Sequence, residues 1–87
     1  MYAIVYTKRA AKDIGNLKTA GLDRKAHALI DILREDPYRS PPPHEKLQGD
    51  LSGACSRRIN LRHRLVYEVL EPEQTVKIIS LWTHYEF

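Results

Sequence analysis

The stretch from Leu51 to Val69, LSGACSRRINLRHRLVYEV, leaves this chain few ways to fold. Turn residues, Gly49-Asp50 and then Ser52-Gly53, lead into two runs with near period-2 patterning. In the first run Arg57, Ile59 and Leu61 fall on one side, and Arg58, Asn60 and Arg62 on the other. In the second, Leu65, Tyr67 and Val69 share a face opposite Arg64, Val66 and Glu68. Alternation of this period belongs to strands, and two such runs with a short polar break form a β-hairpin. The break near Arg62-His63 lacks the Asn-Gly or Asp-Gly pair of a two-residue turn, so the turn type stays open. Arg57, Arg58, Arg62 and Arg64 all lie on this hairpin. A guanidinium stays charged and offers a planar fork of donors, which suits phosphate. The plain alternative is a solvated sheet face, since charged residues usually face water.

The rest of the chain must supply what covers that hairpin. Tyr2-Ala-Ile-Val-Tyr6 is a short β-branched and aromatic run, read as the first strand. Thr7 suits an N-cap, and Ala10, Ile14 and Leu17 mark one face of a helix that Gly21 ends. Leu22, Ala26, Leu29, Ile30 and Leu33 mark a second helix, stopped by Asp36-Pro37. From Pro37 to Asp50 the chain reads as irregular, with Ser40-Pro-Pro-Pro43 extended and carrying Glu45 across to the sheet. After a turn at Glu71-Pro-Glu-Gln74, Val76, Ile78, Ser80 and Trp82 alternate with Lys77, Ile79 and Leu81, a last strand buried on much of both faces. The order β-α-α-β-β-β predicts an α+β domain, residues 1–87, with two helices packed on a small, mostly antiparallel sheet.

Composition narrows the function classes. With 43% hydrophobic and 29% charged residues, the chain belongs with globular rather than disordered proteins. The net charge of +3 suits an anionic partner. Cys55 is the only cysteine, so no intrachain disulfide forms and a reducing compartment is favoured; Cys55 reads as a small apolar strand residue. The apolar run at residues 2–6 is too short for a signal peptide, and no stretch approaches a membrane span, so a soluble cytoplasmic protein is expected. The four histidines, His27, His44, His63 and His84, show no metal-ligand spacing with Cys55, and no metal or other cofactor is expected.

Glu45 stands just upstream of the hairpin, and His84-Tyr85 come after the last strand. An acid, several arginines, a histidine and a tyrosine are the groups that metal-free phosphodiester cleavage requires. Singly, each has an ordinary explanation: Glu45 and His84 as solvated side chains, His63 as a residue holding the hairpin turn, Tyr67 and Trp82 as core.

Taken together, Glu45-Lys-Leu-Gln-Gly-Asp-Leu-Ser-Gly53, Ser56-Arg-Arg-Ile59, His63-Arg-Leu-Val-Tyr67 and His84-Tyr85 resemble the YoeB/Txe branch of the RelE superfamily, the ribosome-dependent endoribonuclease toxins of bacterial type II toxin–antitoxin modules. Element order and length agree along essentially the whole chain. The resemblance implies an active site of Glu45, Arg64, His84 and Tyr85, and the hairpin arginines Arg57, Arg58 and Arg62 are read beside it as RNA-binding residues. It implies cleavage of mRNA in the ribosomal A site to a 2′,3′-cyclic phosphate and a 5′-OH. The implied partners are ribosome, mRNA and an antitoxin with an acidic, partly disordered segment, in a homodimer or a toxin–antitoxin hetero-oligomer. Charge logic makes Glu45 the base and His84 the acid, with the reverse roles open. This chain departs from the family at Ala54-Cys55, where bulky aromatics are common, and at Glu86-Phe87, which follow the tyrosine. A gyrase-poisoning toxin like those of the related ParE group, and a non-catalytic RNA-binding or complex-forming module, are the competing readings.

Overall fold

Helix α1 (Lys8–Thr19) begins where the sequence offers a cap: the Thr7 hydroxyl accepts from the Ala10 N–H. It ends in a Schellman turn, in which the Leu22 N–H reaches the Leu17 carbonyl and the Gly21 N–H the Lys18 carbonyl. That turn puts Gly21 at φ +73°, a conformation that costs glycine nothing. Helix α2 (Asp23–Glu35) follows at once and buries Ala26, Leu29, Ile30 and Leu33. The structure, a computed structural model, describes residues 1–49 and 52–83.

The strands are β1 (Ala3–Tyr6), β2 (Glu45–Lys46), β3 (Cys55–Arg58), β4 (Arg64–Leu70) and β5 (Thr75–Thr83). They form one five-stranded sheet in the order β1-β5-β4-β3-β2. Among the described residues only the β1–β5 pairing is parallel; the other pairings are antiparallel. The expected α+β architecture is therefore present, with one strand more than the pattern suggested. Strand β2 lies in the stretch read as irregular, and it pairs Glu45 with Ser56 and Lys46 with Cys55. Two residues are too few to show any period.

Both helices pack on one face of the sheet. Their buried residues meet Ile59, Leu65, Tyr67, Val76, Ile78 and Leu81 in the main core, with Trp82 packed against its edge. On the opposite face Leu47, Ala54 and Val66 form a second, small cluster with Ile79. Beside that cluster no helix among the described residues covers the face.

Two details depart from strict alternation. The first run of the hairpin stops at Arg58, and residues 59–63 make the turn. The Asn60 side-chain oxygen accepts from the Arg62 and His63 N–H groups, and the His63 carbonyl accepts from Ile59 and Asn60. Leu61, expected beside Ile59, is 88% exposed at the tip. The second departure is in β5, whose register against β4 slips between Tyr67 and Val66 and again before Arg64. Val76 and Ile78 face the helices, but after the slip it is Leu81 that joins the main core, not Ser80. An extra residue in one strand reverses every side chain beyond it.

Candidate active site on the open sheet face

Residues directly opposite in a ladder share a face. Glu45 opposes Ser56, Arg58 opposes Arg64, and Arg64 opposes Thr83 across β5. Pairing alone therefore gathers residues from β2, β3 and β4 on the face the helices leave uncovered. They line a pocket of about 230 Å³ walled by Pro43, Glu45, Ser56, Arg58 and Arg64.

Arg64 is the fixed member. Its side chain is 13% exposed; Nη1 donates to the Ser56 hydroxyl at 3.1 Å, and Nη2 stands 3.5 Å from Glu45 Oε1. The serine is fully buried, so its hydroxyl is an anchor rather than a solvent contact. Glu45 is more than half exposed, and a 3.5 Å contact with an exposed carboxylate is a weak restraint. The carboxylate is thus held near the guanidinium without being consumed by it. Arg58 and Arg64, facing each other across two strands, place like charges in direct opposition. Such a pair destabilises a sheet, and an anion between the two groups relieves it.

Of the arginines read as RNA-binding, Arg58 lines the pocket, and Arg62 is exposed in the 59–63 turn, outside the pocket wall. Arg57 must be withdrawn from that set. It is 0% exposed and sits on the helix-covered face. Its Nε donates to the Tyr67 hydroxyl at 3.1 Å, Nη1 to the Pro42 carbonyl at 2.6 Å, and Nη2 to the carbonyls of Pro37 at 3.0 Å and Arg39 at 2.8 Å. A guanidinium so occupied has no surface to offer a phosphate. His84 and Tyr85 lie outside the described residues. Strand β5 is described as far as Thr83, the residue opposite Arg64.

The ring of His63 stacks on Trp82 with centroids 3.9 Å apart, tying the start of β4 to the end of β5. Burial pushes the Cys55 thiol up, partly offset by Lys46 and Arg57, so it behaves as a strand residue packed on the core. Among the described residues no three of His, Cys, Asp and Glu converge in a way that could hold a metal ion. No helix among them is long and apolar enough to cross a membrane. Sequence reasoning missed Ser56 as a pocket residue, although its i, i+2 spacing from Arg58 puts both on one strand face.

The comparisons with known proteins agree with the fold. Residues 6–85 match a family model described as YoeB-like toxin of bacterial type II toxin-antitoxin system. The chain is 38% identical over 63 residues to a Toxin YoeB of Synechocystis sp., covering 72% of this chain and 71% of that one. Among solved structures, a YoeB/ParE toxin from Agrobacterium tumefaciens superposes with a TM-score of 0.85 at 30% identity, covering 95% of this chain and 99% of that one. A YoeB-YefM complex from Staphylococcus aureus superposes with a TM-score of 0.80 at 30% identity, covering 98% and 99%.

Proposed function

Because the chain belongs to the YoeB-like toxins of bacterial type II toxin–antitoxin systems, we propose that it is a ribosome-dependent endoribonuclease that cuts mRNA in the ribosomal A site. The observation that carries this reading is the pocket in which Glu45, Ser56, Arg58 and Arg64 meet on the open sheet face. RNA brings its own nucleophile. In the proposed reaction Glu45 takes the 2′-OH proton, the 2′-oxygen attacks the adjacent phosphorus, and the bond to the 5′-oxygen breaks. His84 protonates that leaving oxygen. The products are a 2′,3′-cyclic phosphate and a 5′-OH, and atoms and charge balance without water or a further reactant. Arg64, held by Ser56, faces the charge that develops on the phosphoryl oxygens, and Arg58 supports it from the opposing strand. Tyr85 stacks on or orients a base. Chain order supports the roles of His84 and Tyr85: they follow Thr83, which pairs with Arg64.

The ribosome presents the mRNA and supplies the ordering that a shallow, five-residue pocket lacks. An antitoxin with an acidic, partly disordered segment inhibits by folding over the Arg58/Arg64 face. Arg57, buried, takes no part in that contact. The site of action is the cytoplasm, where the ribosomes are.

Single-turnover cleavage on programmed ribosomes tests the reading. Arg64→Ala should lose on the order of 10²–10³ in rate, the usual effect of removing one preorganised donor, and Arg64→Lys should recover only part. His84→Gln should slow a normal 5′-oxygen leaving group far more than a 5′-thio one, since sulfur departs without a proton. Equal slowing of both substrates would remove His84 as the acid and leave Glu45 to orient the substrate or the histidine. Full activity in Arg64→Ala, or gyrase inhibition without mRNA cleavage, would refute the proposal.

A further inference from the structure

The segment 37–43 that leads to Glu45 reads Pro-Tyr-Arg-Ser-Pro-Pro-Pro. Four of its residues have no N–H, so it is short of ladder donors and rich in carbonyls that need one. Arg57 meets that need. Its Nη1 and Nη2 donate to the carbonyls of Pro37, Arg39 and Pro42, spanning the segment from one end nearly to the other. Its Nε donates to the Tyr67 hydroxyl, and its guanidinium carbon lies 5.9 Å from the centre of that ring. Four of the five guanidinium N–H groups are thus engaged, all by neutral acceptors.

We propose that Arg57 is a positioning residue that holds the proline-rich segment against the sheet and thereby sets where Glu45 stands relative to Arg64. The start of the segment is also tied by the Tyr38 hydroxyl, which donates to Glu71, and by the Arg39 N–H, which donates to the Asp36 carbonyl; toward Glu45 the Arg57 bond to Pro42 is the last one among the described residues before β2, which is two residues long. Strand β3 serves the pocket from both faces. Ser56 grips Arg64, Arg58 opposes it, and Arg57, between them and pointing the other way, grips the segment that delivers the carboxylate. A lysine in place of Arg57 retains the charge but not the fork that reaches three carbonyls at once. The catalytic part of this inference rests on the endoribonuclease reading; the positioning part does not.

The test uses Arg57→Lys, alone and combined with Glu45→Gln. Arg57→Met serves as the charge-free comparison, with Lys as the variant of record if Met fails to fold. Amide hydrogen exchange is expected to accelerate at Tyr38, Arg39, His44, Glu45 and Lys46, with helix α1 unchanged. Cleavage on ribosomes should fall by on the order of 10²-fold, the cost of misplacing a reacting group. The decisive comparison is the double variant. If Arg57 acts through Glu45, Arg57→Lys slows Glu45→Gln little further. A full and additive loss in the double variant would overturn the positioning role. So would wild-type exchange across 37–46 together with a wild-type rate. If the parent protein fails to cleave on ribosomes, the endoribonuclease reading falls, and the exchange pattern still decides whether Arg57 holds the segment.

Discussion

Strand β1 stops at Tyr6, opposite Ile78, but β5 runs on to Thr83. The edge of β5 beyond Ile78 is covered by side chains and backbone from around the start of α1. The Thr7 N–H donates to the Ile78 carbonyl and its hydroxyl to the Ile79 carbonyl at 2.7 Å. The Asp13 carboxylate, 6% exposed, accepts from the N–H of Leu81 at 3.0 Å and of Trp82 at 3.3 Å. Asp13→Ala strands both donors. Leu81 is fully buried, so its N–H has no water to turn to, and an unsatisfied buried donor costs about 1–3 kcal/mol. The half-buried Trp82 adds about 1 kcal/mol, at the low end of that range. Release of a desolvated carboxylate and the better helix propensity of alanine together return about 1 kcal/mol. The expected loss is about 1–3 kcal/mol, against a total stability of about 4–13 kcal/mol for a chain this size. Asp13→Asn keeps a neutral acceptor in place and should lose roughly half as much. Urea unfolding followed by circular dichroism checks both, provided the m-value is unchanged so that the shift in midpoint reads as stability. A loss below about 0.5 kcal/mol in Asp13→Ala, or equal losses in Ala and Asn, would refute the edge-cover account; surface changes are typically that small.

Ser56→Ala leaves Arg64 charged but without its buried anchor, so single-turnover cleavage should fall about tenfold while stability drops by about 1 kcal/mol. Glu71 accepts from the hydroxyls of Tyr38 and Tyr2, which hold its carboxyl below the usual range, and the same contact pushes Tyr38 up to about 12. A depressed carboxyl stabilises the fold above its unfolded pKa and loses that contribution as pH falls through its folded pKa. Glu71→Gln should therefore flatten part of the acid limb of the urea midpoint below roughly pH 4.3. At the other extreme, Tyr38→Phe should remove part of the stability lost as pH rises from the ordinary tyrosine value toward about 12. Gly53 sits at φ +96°, and a Cβ there would meet only a Glu68 carboxylate oxygen at 3.6 Å, an ordinary contact. Gly53→Ala should thus cost about 1–3 kcal/mol through backbone strain alone, read from the same denaturation curves.

What was legible in the sequence followed from local periods. The helix faces that bury Ala10, Leu17, Ala26, Leu29, Ile30 and Leu33 show a 3.6-residue period, and each is in the core. The Thr7 cap and the Gly21 stop are single-residue signals with a single steric meaning. Two features were hidden because their causes lie far away in sequence. Strand β2 exists through its partner β3, with no pattern of its own. The reversal of faces in β5 accompanies a pair of N–H groups satisfied by Asp13, 68 residues back from Leu81.

Arg57 is a different kind of miss. The alternation itself put Arg57 on the same side as Ile59, and Ile59 is in the core, so the pattern placed the guanidinium inside. The charge of the residue argues for the surface instead. The resolution is also in the sequence, in the proline-rich segment upstream. A run with four prolines in seven residues presents acceptors in excess of donors. Inside a fold, that excess is met by a side chain with several N–H groups and no acceptor, which describes lysine and arginine, and of the two arginine spreads five donors over a planar fork that reaches several carbonyls at once. A buried arginine beside such a segment is therefore the expected counterpart of the prolines. In the Ser56-Arg57-Arg58 triplet, alternation sends the middle residue to the segment and its two neighbours to the pocket.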